Sequence, residues 1–235
     1  MTHRSPTAPL WLLACVLTGC SGGQTVSGRT DSVVSLPQWE GIHHPFLPTP
    51  LGAIWGYQGT SDGLPMSEEV QALEEWVTVG GVACVAVVSN RYVDGRLVEH
   101  TTEWFAEGLD GSVWAMGQEA TEWNGTRFVR NEQSWQAGRE GAKGVLFLPA
   151  VPQVGQHFLR ELPYQVEKMF VASTTARAPA ASGISVVDSA DCLELVEMGE
   201  DGEEDEIVLY ARDVGRVRKT DGHGESTIVL YRRPR

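Results

Sequence analysis

Five dipeptides punctuate this chain: Asp62-Gly63, Asp94-Gly95, Asp110-Gly111, Asn124-Gly125 and Asp221-Gly222. Asp-Gly and Asn-Gly supply adjacent residues that tolerate positive φ, the backbone a tight hairpin turn requires. The segments between them are short and rich in Val, Trp, Phe and Tyr. "GVACVAVVSNRYV" and "RLVEHTTEWFAE" flank Asp94-Gly95, and "SVWAMGQEATEW" and "TRFVRNEQSW" flank Asn124-Gly125. This predicts an antiparallel meander of four strands. A second β region follows, with "DCLELVEM" and "EIVLYARDV" around the acidic loop "GEDGEEDE", then "GRVRKT" and "STIVLYRR" around "DGHG". The expected fold is mainly β, an antiparallel meander forming a curved sheet or partly open barrel, with one or two short helices. "LPYQVEKMFVAS" is expected to be one such helix. "MSEEVQALEEWV" suits a helix by its charges and a strand by its position.

Turn position sets register. A two-residue turn at Asp94-Gly95 pairs Cys84 with Phe105 and Val85 with Trp104, so apolar groups meet on both faces and both are expected to be covered. A two-residue turn at Asn124-Gly125 pairs Glu122 with Arg127 and Glu119 with Arg130, opposite charges in each case. Around Asp110-Gly111, side-chain alternation puts Glu103, Phe105, Glu107, Trp114, Met116 and Gln118 on one face. Trp104, Ala106, Val113 and Ala115 take the other.

The N-terminus reads as a targeting segment. Arg4 precedes the apolar run "LWLLACVL", which is too short to span a bilayer, and "LTGC" follows at Leu17–Cys20. "LTGC" matches the bacterial lipobox, whose cysteine becomes the lipidated first residue. Residues 1–19 are thus expected to be a lipoprotein signal peptide and Cys20 the acylated residue. Residues 20–38, rich in Ser, Gly and Thr, are expected to be a flexible tether. Residues 39–235 form the expected single β-rich domain. The implied location is the bacterial cell envelope, with the lipid bilayer as partner. Ser21 is not aspartate, which favours the outer membrane if the host has two membranes.

The net charge is −13. Such a chain is repelled by nucleic acid and by anionic lipid headgroups. With Cys15 in the signal and Cys20 lipidated, Cys84 and Cys192 remain as a possible disulfide pair in an oxidising compartment.

From about residue 44 to 231 the chain resembles a group of bacterial lipoproteins of unknown function. The resemblance is carried by "HPFLPTPLGAIWGYQGTSDG", "TTEWFAEGLDGSVWAMGQE", "SWQAGREGAKGVLFLPAVPQVGQHFLRE", "DCLELVE" and "YARDVGRV". It implies a secreted, lipid-anchored β-rich domain and no established reaction. It also implies a strand for "MSEEVQALEEWV". The group usually has an acid where this chain has Gly108, and an acid pair where it has Glu167-Lys168. Those departures weaken any carboxylate cluster built for a metal. The plan is also similar, at fold level only, to curved-sheet lipoproteins that carry apolar molecules.

Glu103, Phe105, Glu107, Trp114 and Met116 are the candidate ligand surface. Paired carboxylates beside tryptophan suit sugar or cation binding, and can perform acid–base hydrolysis of glycans. No nucleophile elbow, His-Glu-x-x-His or Cys-x-x-Cys motif is present, and nothing calls for a metal or cofactor. The expected function is a non-enzymatic binding module for a small or apolar ligand, or for a protein ligand in the envelope. A glycan hydrolase using Glu103 and Glu107, and a structural or assembly lipoprotein, are the alternatives.

Overall fold

A computed structural model describes residues 25–26, 40–173, 192–198, 204–221 and 226–232. The signal peptide, Cys20, most of the tether and Gly222 lie outside the described residues. The strands, in chain order, are β1 (Thr25–Val26), β2 (Gly41–Ile42), β3 (Thr49–Pro50), β4 (Ile54–Ser61), β5 (Leu64–Val79) and β6 (Val82–Val93). Then come β7 (Arg96–Glu107), β8 (Val113–Trp123), β9 (Phe128–Arg130), β10 (Trp135–Gln136), β11 (Val145–Leu148) and β12 (His157–Glu161). The last are β13 (Val166–Ser173), β14 (Cys192–Met198), β15 (Glu204–Ala211), β16 (Gly215–Asp221) and β17 (Ser226–Arg232). The protein is mainly β, and no described residue is helical.

Fifteen strands form one sheet, in the order β1-β12-β13-β14-β15-β16-β17-β4-β5-β6-β7-β8-β10, with β9 and β11 also on β8. The sheet is not closed into a barrel. It curls strongly nonetheless, because Glu103 on β7 and Met169 on β13, far apart in strand order, line one cavity. Most neighbours are sequential hairpins. Besides β1, which pairs with β12, and β10 and β11, which pair with β8, the long-range exception is β17, which inserts beside β4 and joins the two halves of the sheet.

The segment expected to be a helix contains β13. Met169 and Val171 are buried while Lys168 is not, an alternation of period two rather than a helical stripe. "MSEEVQALEEWV" lies inside β5, where Met66 and Ala72 are buried on one side.

Two turn expectations meet the structure differently. Asp94 (φ 48) and Gly95 (φ 72) form the two-residue turn, with Val93 opposite Arg96. A bulge then adds one residue to β7, so Val85 faces Phe105 and Ala86 faces Trp104. Each expected pair is therefore out by one residue. Both faces are covered here all the same: Val85 and Phe105 are buried on one, Cys84, Ala86 and Ala106 on the other.

At Asn124-Gly125 the loop is longer than two residues, and Glu122 faces Val129 instead of Arg127. The Asn124 side chain is the cause: its Oδ1 accepts the Thr126 and Arg127 amides, each at 3.0 Å. Glu119 still lies 3.8 Å from Arg130, both exposed.

Cys84 and Cys192 are buried and are not joined by a disulfide. They sit on β6 and β14, six strand steps apart, which is roughly 29 Å along the sheet at about 4.8 Å per step. Their neighbours Val85 and Leu193 pair with Phe105 and Tyr210, which face the interior. Alternation therefore turns both thiols the other way. Burial pushes the Cys84 thiol up to about 11, so it is unreactive.

One end of the curled sheet is plugged by residues 40–53. His44 is 1 % exposed, with Nε2 3.1 Å from the Pro149 carbonyl. Its Nδ1 accepts the Phe46 amide at 3.2 Å. The Asp213 amide donates to the Pro45 carbonyl at 2.7 Å, and the Arg212 guanidinium lies 4.8 Å over the Phe46 ring.

Candidate functional site

The curled sheet encloses a lumen. Alternation along its strands points one residue in two inward, and these inward positions carry an unusual density of charge. Three adjoining cavities of about 370, 100 and 400 Å³ share Glu103 and Arg216 as lining residues. The plugged end is the apolar floor, with Leu47, Trp55, Val70 and Phe105. The middle and the Asp94-Gly95 end are polar.

Ion pairs account for the cations. Arg216 Nη2 donates to Glu68 Oε2 at 2.8 Å, and its guanidinium lies 4.2 Å over the Tyr57 ring. Burial alone would lower Arg216, but Glu68 and Tyr57 more than offset it and hold it raised. Arg160 Nη1 sits 3.4 Å from Glu167 Oε2. Lys219 pairs with Glu206, and Arg91 with Glu99.

Arg160 also links two strands of the curled sheet that are not paired with each other. It reaches from β12 to stack 4.3 Å over Phe147 on β11, and Nη2 donates to the Phe147 carbonyl at 3.3 Å. Among the described residues no ladder joins β11 to β12, so this side chain connects the two strands.

Two carboxylates remain. Glu103 on β7 and Glu197 on β14 both line the cavity of about 370 Å³, and among the described residues neither has a hydrogen bond or a close ion pair. Glu103 keeps intermediate exposure because the cavity admits water, but it is surrounded by protein. Burial is the main reason its carboxyl stands above the usual range, partly countered by Arg216 and Lys219. Burial, then the neighbouring Glu167, pushes Glu197 up to about 7. Tyr164, at the β12–β13 turn, is pushed up to about 12 by burial and then by Glu167, Glu197 and Glu103. That phenol stands among the carboxylates.

The five residues expected to form one surface are dispersed. Glu103 and Phe105 line the lumen. A bulge in β8 between the partners of Trp104 and Phe105 puts Trp114 opposite Ala106, on the other face from Glu103. The Trp114 indole donates to Ser112 Oγ at 2.8 Å, and Ser112 Oγ and amide donate to Asp110 Oδ1 at 2.6 and 3.0 Å. Trp114 therefore anchors the Asp110-Gly111 turn. Met116 is the extra residue of the bulge and is buried at 3 % exposure. Glu107 Oε2 accepts the His43 amide at 2.9 Å and so holds the plug.

Glu103 and Glu107 share a face but lie four residues apart, about 13 Å along a strand. Glycosidase carboxyls stand roughly 5–9.5 Å apart. The pair does not converge on one bond. No group of three or more metal-ligating side chains occurs among the described residues.

Arg160, Glu197, Tyr210 and Arg216 complete the lumen, and no local motif marks them. The signal that exists is weak: "CLELVEM", "EDEIVLYA" and "GRVRKTD" carry charge at positions of both parities, more than a sheet with one wet face needs. No family model, curated protein or solved structure matches the chain.

Proposed function

We propose that this protein is a lipid-anchored bacterial cell-envelope protein, of the lipoprotein group it resembles, that binds a small ligand in its lumen without transforming it. The observation that carries the reading is the pair of carboxylates, Glu103 and Glu197, which line the lumen without a hydrogen bond or close ion pair among the described residues. An unpaired ionisable group in such a place costs stability. A site that is empty between encounters with a ligand accounts for that cost. The lumen supports a small polar ligand better than a purely apolar one, because beyond its floor Glu103, Arg160, Glu167, Glu197, Glu206 and Lys219 stand among the apolar side chains. The separation of Glu103 and Glu107 removes support for glycan hydrolysis, and the lumen gives none to an assembly role.

The anchor has a geometric corollary. Thr25–Val26, inside the segment expected to be a flexible tether, instead forms β1, which runs parallel to β12 with Thr25 beside His157 at the plugged end. Cys20 precedes Thr25 by a reach of at most roughly 18 Å. The plugged end thus faces the bilayer, where Leu109 and Val151 are exposed at 60 % and 71 %. The favoured bilayer is the outer membrane if the host has two.

Native mass spectrometry of protein extracted from its producing cells tests the binding reading. A retained small molecule is expected, and bare protein from several hosts would remove it. Cys20→Ala is expected to move the protein from the membrane fraction to the soluble one. Retention in the membrane would sink the anchor.

A further inference from the structure

The ligand's charge can be argued from what the lumen lacks. Resting on the binding reading above, we propose that the lumen receives a small organic cation bearing one or more amino groups, held by Glu103 and Glu197.

An anion would need a free cation. Arg91, Arg160, Arg216 and Lys219 are each already paired with a glutamate. Beyond the one unpartnered Arg160 Nε–H, an anion would have to draw a cation from its glutamate, and at the buried Arg160–Glu167 and Arg216–Glu68 pairs that leaves a carboxylate stranded. An apolar ligand would cover Glu103 and Glu197 and offer neither a hydrogen bond nor a charge. A neutral polyol could hydrogen-bond them but would leave whatever negative charge they carry uncompensated. An amine supplies both the N–H donors and the charge.

The walls agree with this. Two guanidinium groups of the protein already stack on rings in the lumen, Arg216 on Tyr57 and Arg160 on Phe147. The same cavity presents Tyr164 and Trp135. Aromatic faces attract ammonium groups, more so where water is scarce. The whole molecule's charge of −13 favours the approach of cations. A volume of about 370 Å³ suits a molecule of a few carbons rather than a chain.

The same geometry dictates a pH dependence. Burial and Glu167 keep part of the Glu197 population protonated near neutrality. A proton and an amine compete for the same oxygen, so amine affinity rises with pH.

The test uses the purified full-length protein and three probes matched in length: 1,4-diaminobutane, 1,4-butanediol and succinate. Calorimetry is expected to show the diamine binding at least about tenfold more tightly than the other two. Binding should be stronger at pH 8 than at pH 5.5. Glu103→Gln and Glu197→Gln should each weaken it about tenfold or more, while Glu75→Gln on the exposed side of β5 leaves it unchanged. Equal binding of the diol, absence of diamine binding, or diamine binding indifferent to both lumen variants overturns the proposal. If a lumen variant fails to fold, the wild-type preference for diamine over diol and its pH dependence decide. A neutral or anionic molecule retained from cells overturns this proposal and preserves the binding reading. Bare protein from every host, with no response to any probe, overturns both.

Discussion

Glu197 and His44 pull the protein's pH dependence in opposite directions. An ordinary glutamate titrates near 4.5, and Glu197 is pushed up to about 7. Between those values the folded state keeps a proton that the unfolded state has lost. Stability therefore falls as pH rises across that window. Because the side chain keeps contact with lumen water, the loss is on the order of 1–2 kcal/mol. Glu197→Gln should raise Tm by about 2–6 °C at pH 8 and change it little at pH 4.5, as read by calorimetric scans. An equal shift at both pH values would show that burial does not penalise this carboxylate. His44 is lowered from 6.5, chiefly by burial. Here the unfolded state binds the extra proton, so stability contributed by neutral His44 is lost as pH falls below about 6.5. Protonation also removes the acceptor for the Phe46 amide. The plug is expected to loosen first in acid, with amides near Phe46 exchanging early.

Hairpins were the readable units of this sequence, and bulges decided what they carried. Asp94-Gly95 states its own turn, because both residues adopt the positive φ their types allow. The bulge in β8 also had a signal: Gly117 sits inside an otherwise continuous strand, at φ 149, where a Cβ would lie 2.7 Å from the Trp135 carbonyl. Reading that glycine would have removed Trp114 from the candidate surface. The bulge in β7 has no comparable residue, so its one-residue slip was not legible. Gly59 reports a different constraint. A Cβ there would fall 1.8 Å from the Thr227 carbonyl, across the β4–β17 ladder. Gly59→Ala should cost on the order of 3 kcal/mol or more, measured by urea unfolding, whereas a neutral result would mean that the ladder yields easily. Arg160 fastens the other discontinuity. Arg160→Lys keeps the charge but loses the planar group that stacks on Phe147 and reaches its carbonyl. Hydrogen exchange in β11 and β12 should accelerate as much in Arg160→Lys as in Arg160→Ala. Full protection in the lysine variant would mean that charge alone suffices.

The strand order β16-β17-β4-β5 had no signature in the sequence, because pairing between the two ends of a chain leaves no local pattern. That is also why the lumen was not legible. Glu103 could be placed on a face, but Glu197, Arg216 and Tyr210 come to that face only through the curl of the whole sheet. Removal of residues 226–235 should divide the sheet into two halves, seen as loss of near-ultraviolet dichroism and of cooperative unfolding. The same segment added as a peptide should restore both.

The place of β17 also has a consequence in time. A chain that leaves the ribosome or a secretion channel N-terminus first presents β4 with one side unpaired, and that side waits for the final strand. Neither half can complete its hydrogen bonding while the C-terminus is still in transit, so the lumen cannot assemble progressively from one end. During that interval β4 is an open template for any other extended chain. The interval before release, rather than the finished molecule, is when this protein most needs a chaperone.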